Sequence, residues 1–154
     1  MRYALLVDMG PLFIGDVEAC NEFWGPTLHA CKSPCYLQAV GGPQEPGSNL
    51  YLAAEIKNNL FLNLIDPAKP LFKAESFYRA MKFLDSVDHP LIHCNQGLSR
   101  APSIALLWLN KRGYIPGNTF DQAKEGFMYP YRPGQGIAAF LRANWATLDY
   151  TRTN

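Results

Sequence analysis

Pro90-Leu91-Ile92-His93-Cys94-Asn95-Gln96-Gly97-Leu98-Ser99-Arg100 is the stretch whose reading decides the fold. It begins as a short apolar run with the length and composition of a buried strand. The five residues after Cys94 make a tight loop. Gly97 supplies a backbone conformation that a Cβ would hinder. Residues 100–112 then read as a helix, and Gly113 suits the position just past its end. A strand thus passes through a glycine-containing loop directly into a helix.

Each part of that segment has a physical job. Successive N–H groups of such a loop can converge on an anion. The first turn of the following helix adds unpaired N–H groups and the positive end of its dipole. The Arg100 guanidinium can grip two phosphate oxygens at once, which lysine cannot do. A thiol in that field ionises more easily than a free one, so Cys94 is expected to be a thiolate nucleophile. Attack on phosphorus would give a phosphocysteine, which water then hydrolyses.

Outward from this segment, strands and helices alternate. Residues 3–15 read as short strands broken by Gly10-Pro11 and Gly15. Residues 17–31 read as a helix interrupted near Gly25-Pro26, and Tyr36–Val40 is strand-like in composition. Two further strands are expected around Leu50–Ala54 and Leu60–Ile65, with a turn at Asn58-Asn59. Phe72, Phe77, Met81, Leu84 and Val87 mark an amphipathic helix over 71–87, and helices near 119–127 and 136–148 follow, the first capped by Thr119. The expectation is an α/β fold, a mixed and partly parallel sheet flanked by helices.

The composition narrows the function classes. At 154 residues the chain fits a single domain over 1–154. Hydrophobic residues are 48% of the chain, enough for a core without disulfide staples. Lys plus Arg number 14 against 13 Asp plus Glu, so no extended nucleic-acid or membrane surface is expected. The N-terminal Met1–Asp8 reads as a strand and not as a signal peptide, because an acid interrupts its short apolar run. With no secretory signal and no membrane span, the expected location is the cytoplasm. Cys20, Cys31, Cys35 and Cys94 are therefore expected as free thiols. Cys20, His29, Cys31 and Cys35 lack paired Cys-x-x-Cys steps, so no metal is assigned and they read as scattered side chains. No cofactor is called for.

Cys94, five intervening residues and Arg100, preceded by His93, resemble the active-site motif of the cysteine-dependent protein tyrosine phosphatase superfamily. Length and element order are most similar to its small dual-specificity branch, and a weaker likeness runs from Pro11-Leu12-Phe13-Ile14-Gly15-Asp16 to the final helices. The resemblance implies a phosphomonoester hydrolase with Cys94 as nucleophile, Arg100 as clamp and Asn95, Gln96, Gly97, Leu98 and Ser99 as the phosphate loop. It implies a general acid on an upstream loop after a strand, which Leu62-Asn63-Leu64-Ile65-Asp66-Pro67 matches at Asp66. Such assistance is typically worth about 10² to 10⁴ in rate. Asp85, within a helix, and Asp88, in the turn after it, rank lower as acids. His93 is implied to order the loop from beneath.

One departure has consequences. The residue after the arginine, often Ser or Thr in the family, is Ala101 here. A hydrogen bond to the departing thiolate is worth ~1.5–3 kcal/mol. Slow phosphoenzyme breakdown is therefore expected unless Ser99 or Ser103 substitutes. Phosphoproteins carrying phosphotyrosine, with phosphoserine and phosphothreonine as further candidates, are the leading substrates, since the loop has no lysine for extra phosphates of a lipid. RNA, lipid and glucan phosphates stay open, as does a phosphate-binding or substrate-trapping module with little turnover. Phe127, Tyr129 and Tyr131, with Arg132, read as packing a loop against the core, with a place flanking the pocket as the alternative. Oxidative pairing of Cys94 with Cys20, Cys31 or Cys35 is left open.

Overall fold

A computed structural model describes residues 4–152. Its centre is the strand read from Leu91-Ile92-His93, here β6. All three residues are buried, as expected for a strand covered on both faces. Before it in the chain come β1 (Leu6–Asp8), β2 (Phe13–Gly15), β3 (Thr27–His29), β4 (Ala53–Ile56) and β5 (Asn59–Leu62). The sheet order is β1-β2-β6-β3-β5-β4. β2, β6, β3 and β5 run parallel, and β1 and β4 close the edges antiparallel.

Alternation of side chains divides the two faces. Ile14, Ile92 and Leu28 stand side by side in register and enter the main core with Leu60 and Leu62. That face is covered by α3 (Ala74–Ser86) and α4 (Arg100–Lys111), and α5 (Phe120–Glu125) and α6 (Gln135–Asn144) pack against α4. Thr119 caps α5 by accepting from the Gln122 N–H at 3.1 Å, as its hydroxyl suggested. The other register row is Gly15, His93 and His29. Over it lies α1 (Val17–Glu22), whose cap Asp16 accepts from the Ala19 N–H at 3.0 Å. Gly15 is needed there, because a Cβ would lie 2.6 Å from the Leu5 carbonyl oxygen and 2.8 Å from Ala19.

Two segments differ in kind from their sequence reading, while β4 begins at Ala53 and not near Leu50, and β5 ends at Leu62 and not near Ile65. Residues 27–29, expected in the second half of a broken helix, form β3. The helix ends at Glu22, ahead of Gly25-Pro26, and the sheet offers Thr27–His29 backbone partners on both sides, which outweighs local propensity. Tyr36–Val40, expected as a strand, lies in a turn at Lys32–Tyr36 followed by the short helix α2 (Leu37–Val40). Gly41 and Gly42 both donate to the Leu37 carbonyl, and Gly41 takes φ 80°, a helix-terminating geometry. A five-residue apolar run has no periodicity long enough to tell the two states apart. The β4–β5 turn falls at Lys57-Asn58, one residue earlier than read.

No helix among the described residues is long and apolar enough to cross a membrane.

Candidate active site

The loop of residues 94–99 is held from several sides. The Cys94 N–H donates to Gly15 O at 3.4 Å, and the Val17 N–H to Asn95 O at 3.2 Å, which ties the loop to β2 and α1. Gly97 has φ 75°, and a Cβ there would lie 2.9 Å from Gly15 O, so both conformation and space require glycine. From the α5–α6 connection, the Tyr129 hydroxyl donates to Gly97 O at 2.7 Å and the Arg132 N–H to Leu98 O at 2.8 Å. The Gly134 N–H donates to Ser99 Oγ at 2.8 Å. With its carbonyls occupied by outside donors, the loop can keep its own amides turned inward.

Arg100 opens α4 and folds back over the loop. Nη1 donates to Leu64 O at 2.8 Å and Nη2 to Asn95 Oδ1 at 2.6 Å. Its Nε is buried and has no hydrogen-bond partner among the described residues. An unsatisfied buried donor on a cation costs about 1–3 kcal/mol or more, a cost an oxyanion would remove. Asn95 is also fixed, since its Nδ2 donates to Ser33 O at 2.9 Å.

A cavity of about 590 Å³ opens above the loop, lined by Asp66, Cys94, Asn95, Gln96, Leu98, Ser99, Arg100, Arg132 and Gly134. The structure thus brings Cys94, Arg100 and Asp66 to one cavity. Gly97 supports it from behind. Asp66 sits at the exposed rim, two residues past Leu64, whose carbonyl Arg100 grips. Gly134 makes room for it: a Cβ there would fall 2.4 Å from Asp66 Oδ1.

The competing acids lie elsewhere. Asp85 accepts from Arg112, Trp108 and Tyr150. Burial alone would raise its pKa, but those donors hold it below the usual carboxylate range. Asp88 borders a separate recess with His89 and Gly10.

Of the two serines named as substitutes for a hydroxyl at Ala101, Ser103 is turned to Tyr131, whereas Ser99 lines the cavity and keeps a hydroxyl proton to donate. Ser99 Oγ accepts from Gly134, and buried Ser103 shares a 2.5 Å hydrogen bond with the Tyr131 hydroxyl. Ala101 itself is fully buried. The aromatic cluster packs as read, with Phe127 stacked on Tyr129. Arg132 and Gly134, which follow it, reach the cavity. Sequence reasoning missed Gly134, and Pro133-Gly134 was the only local signal that the chain turns there.

His93 is fully buried. Burial, then neighbouring His29, pushes its pKa down to about 4, so it is neutral at ordinary pH. All four cysteines are free thiols. Cys20, His29 and Cys35 are not scattered as expected; they converge on His93.

The chain's overall similarities follow this architecture. No protein-family model matches the sequence, and no curated protein matches it. Among solved structures, the PTP-2 phosphatase of Cydia pomonella is similar at TM-score 0.64 and 19% identity, over 94% of this chain and 91% of that one. DUSP15 is similar at TM-score 0.62 and 14% identity, over 92% and 88%. Human DUSP28 is similar at TM-score 0.57 and 19% identity, over 96% and 97%. The chain has the fold of the small dual-specificity phosphatases.

Proposed function

We propose that the chain is a cysteine-dependent phosphomonoester hydrolase, a single catalytic domain acting on phosphoproteins in the cytoplasm. The observation that carries this reading is the unpartnered Nε of Arg100 beside a cavity that also holds Cys94 and Asp66. That the similar folds are named as phosphatases supports it.

The Cys94 thiolate attacks phosphorus in line; the S–P bond forms as the ester P–O bond breaks. Asp66 gives its proton to the leaving oxygen. Arg100 and the loop amides stabilise charge on the equatorial oxygens. Asp66 then takes a proton from water, which displaces the Cys94 sulfur and releases phosphate. His93, neutral, holds the floor of the loop. Arg132 adds a cation at the mouth, suited to phosphotyrosine in an acidic peptide, with phosphoserine and phosphothreonine as slower substrates.

An aryl phosphate assay of wild type, Cys94→Ser and Asp66→Ala tests the mechanism. Activity should fall to background in the first and by about 10² to 10⁴ in the second. Equal hydrolysis in all three would remove it.

Ala101, with Ser103 turned to Tyr131, favours slow turnover and gives the trapping reading its one support, unless the Ser99 O–H donates to the departing sulfur. A pre-steady-state burst is expected in wild type. Ala101→Ser should speed steady-state release by roughly tenfold and shrink the burst. Strictly linear release by wild type from the first turnover would contradict slow phosphoenzyme breakdown; no product at all would favour a pure binding module.

A further inference from the structure

On the face of β6 opposite the main core, four donor side chains from four segments meet. Cys20 comes from α1, His29 from the end of β3, Cys35 from the turn at Lys32–Tyr36 and His93 from the end of β6. His29 and His93 are register partners across two parallel strands. One donor atom from each of the four lies within 4.8 Å of all the others. We propose that these four residues form a structural zinc site beneath the phosphate loop.

Three observations carry this assignment. The first is distance. Tetrahedral zinc with Zn–N of about 2.0–2.1 Å and Zn–S of about 2.3 Å places neighbouring N and S ligands about 3.5 Å apart. Cys20 Sγ lies 3.5 Å from His29 Nδ1, and Cys35 Sγ lies 3.8 Å from His93 Nε2. His29 Nδ1 and His93 Nε2 are 2.7 Å apart, so the histidine pair opens by roughly half an ångström around the ion.

The second is the outer shell. His29 Nε2 lies 2.9 Å from Asn59 Oδ1, and His93 Nδ1 lies 3.4 Å from the Cys94 carbonyl oxygen. Each oxygen is an acceptor that can hold an imidazole proton on the outer nitrogen. At 2.7 Å one inner nitrogen carries a proton while no ion is present; moving it to that ring's outer nitrogen frees both lone pairs for a cation. Ligating histidines are commonly oriented by such acceptors.

The third is charge. Two thiolates and two neutral imidazoles cancel the charge of a divalent zinc ion, so the filled centre is neutral and compatible with burial. Binding breaks two S–H bonds, forms two S–Zn and two N–Zn bonds, and releases two protons. Thiolate and imidazole donors in this number select zinc over calcium or magnesium. Cys20, partly exposed, gives the ion a way in.

The site would join α1, β3, β6 and the Lys32–Tyr36 turn at the base of the catalytic loop. The same turn receives the Asn95 side chain through Ser33 O. Zinc therefore braces the loop from beneath, a role that does not depend on the proposed reaction.

The test uses the whole reduced protein, stripped with chelator and titrated with cobalt(II). One cobalt per chain should bind, with the intense visible bands of a tetrahedral ion and thiolate-to-cobalt charge transfer. Zinc should displace it, and zinc added to the stripped protein should release two protons per ion. Cys20→Ser and Cys35→Ser should each weaken binding by about a hundredfold or more. Cys31→Ser, whose side chain meets Cys35 but lies outside the four-residue set, should still give the tetrahedral cobalt spectrum. Circular dichroism of the stripped variants confirms that they fold. Absence of tetrahedral cobalt in folded wild type would overturn the proposal. So would unchanged binding in both folded Cys20→Ser and Cys35→Ser.

Discussion

His93 and Cys94 are neighbours in the chain, yet they face opposite kinds of surroundings. Cys94 borders an open cavity where Arg100 Nε has no partner among the described residues and Asp66 stands exposed. His93 lies in a closed cluster where donor atoms of four residues crowd within 4.8 Å and both histidines are oriented by oxygen acceptors. The first arrangement leaves bonding capacity for a ligand that comes and goes. The second is built to hold one ligand in place. Catalytic loops need this division, because binding groups can be left unsatisfied only where a rigid base keeps them from collapsing onto one another.

If the two regions are separable, single changes should strike one and spare the other. Arg100→Lys replaces a two-pronged grip with a point charge, and should lower kcat/KM by about 10² to 10³ while leaving cobalt binding intact. A fall in both would show that the regions are one unit. Gly134→Ala should push Asp66 from the rim, since the new Cβ would lie 2.4 Å from Oδ1. Relieving that contact moves the carboxylate by roughly 1 Å, a misplacement that costs about a hundredfold. The loss should be larger for an alkyl phosphate, whose leaving oxygen needs the proton, than for an activated aryl phosphate; equal losses would separate Gly134 from the acid.

The lower region has its own probe. Asn59→Ala removes the oxygen that orients His29, and should weaken zinc binding by about 10- to 100-fold with little change in the chemical step. The smallest effect on either region is expected from Asp85→Asn, which acts on stability alone. Arg112 grips both Asp85 and Asp149, tying α3 to α4 and the C-terminal segment. Asp85 has its pKa lowered in the fold, so its contribution is present above the ordinary carboxylate pKa. It is lost as pH falls through the lower folded value. The substitution should cost ~1.5–3 kcal/mol at neutral pH and flatten the acid limb of a thermal-melting profile. An unchanged acid limb would remove Asp85 from that role.

Much of the upper region was legible because it is contiguous. Eight residues from His93 to Arg100 carry the strand end, the turn, the sulfur and the guanidinium, and local rules read each of them. Asp66 came from the resemblance and a strand–Asp–Pro pattern, and it lines the same cavity. Gly134 was not legible, since its importance lies in the space Asp66 occupies. The lower region was closed to sequence reading for the same reason. Cys20, His29, Cys35 and His93 have no metal-site spacing, and only the parallel register of β3 with β6 sets the two histidines side by side. That register depended on Thr27–His29 being a strand, where the local pattern had suggested a helix. Tyr36–Val40 failed because so short a run has no period.

The most direct measurement is an acid quench of the protein mixed with a phosphotyrosine peptide, followed by mass mapping of the Cys94 segment. A phosphoryl group on Cys94, in an amount matching the burst of dephosphorylated peptide, is the expected result. Product formed in the burst with no phosphoryl group on that cysteine at any time would contradict covalent catalysis by Cys94.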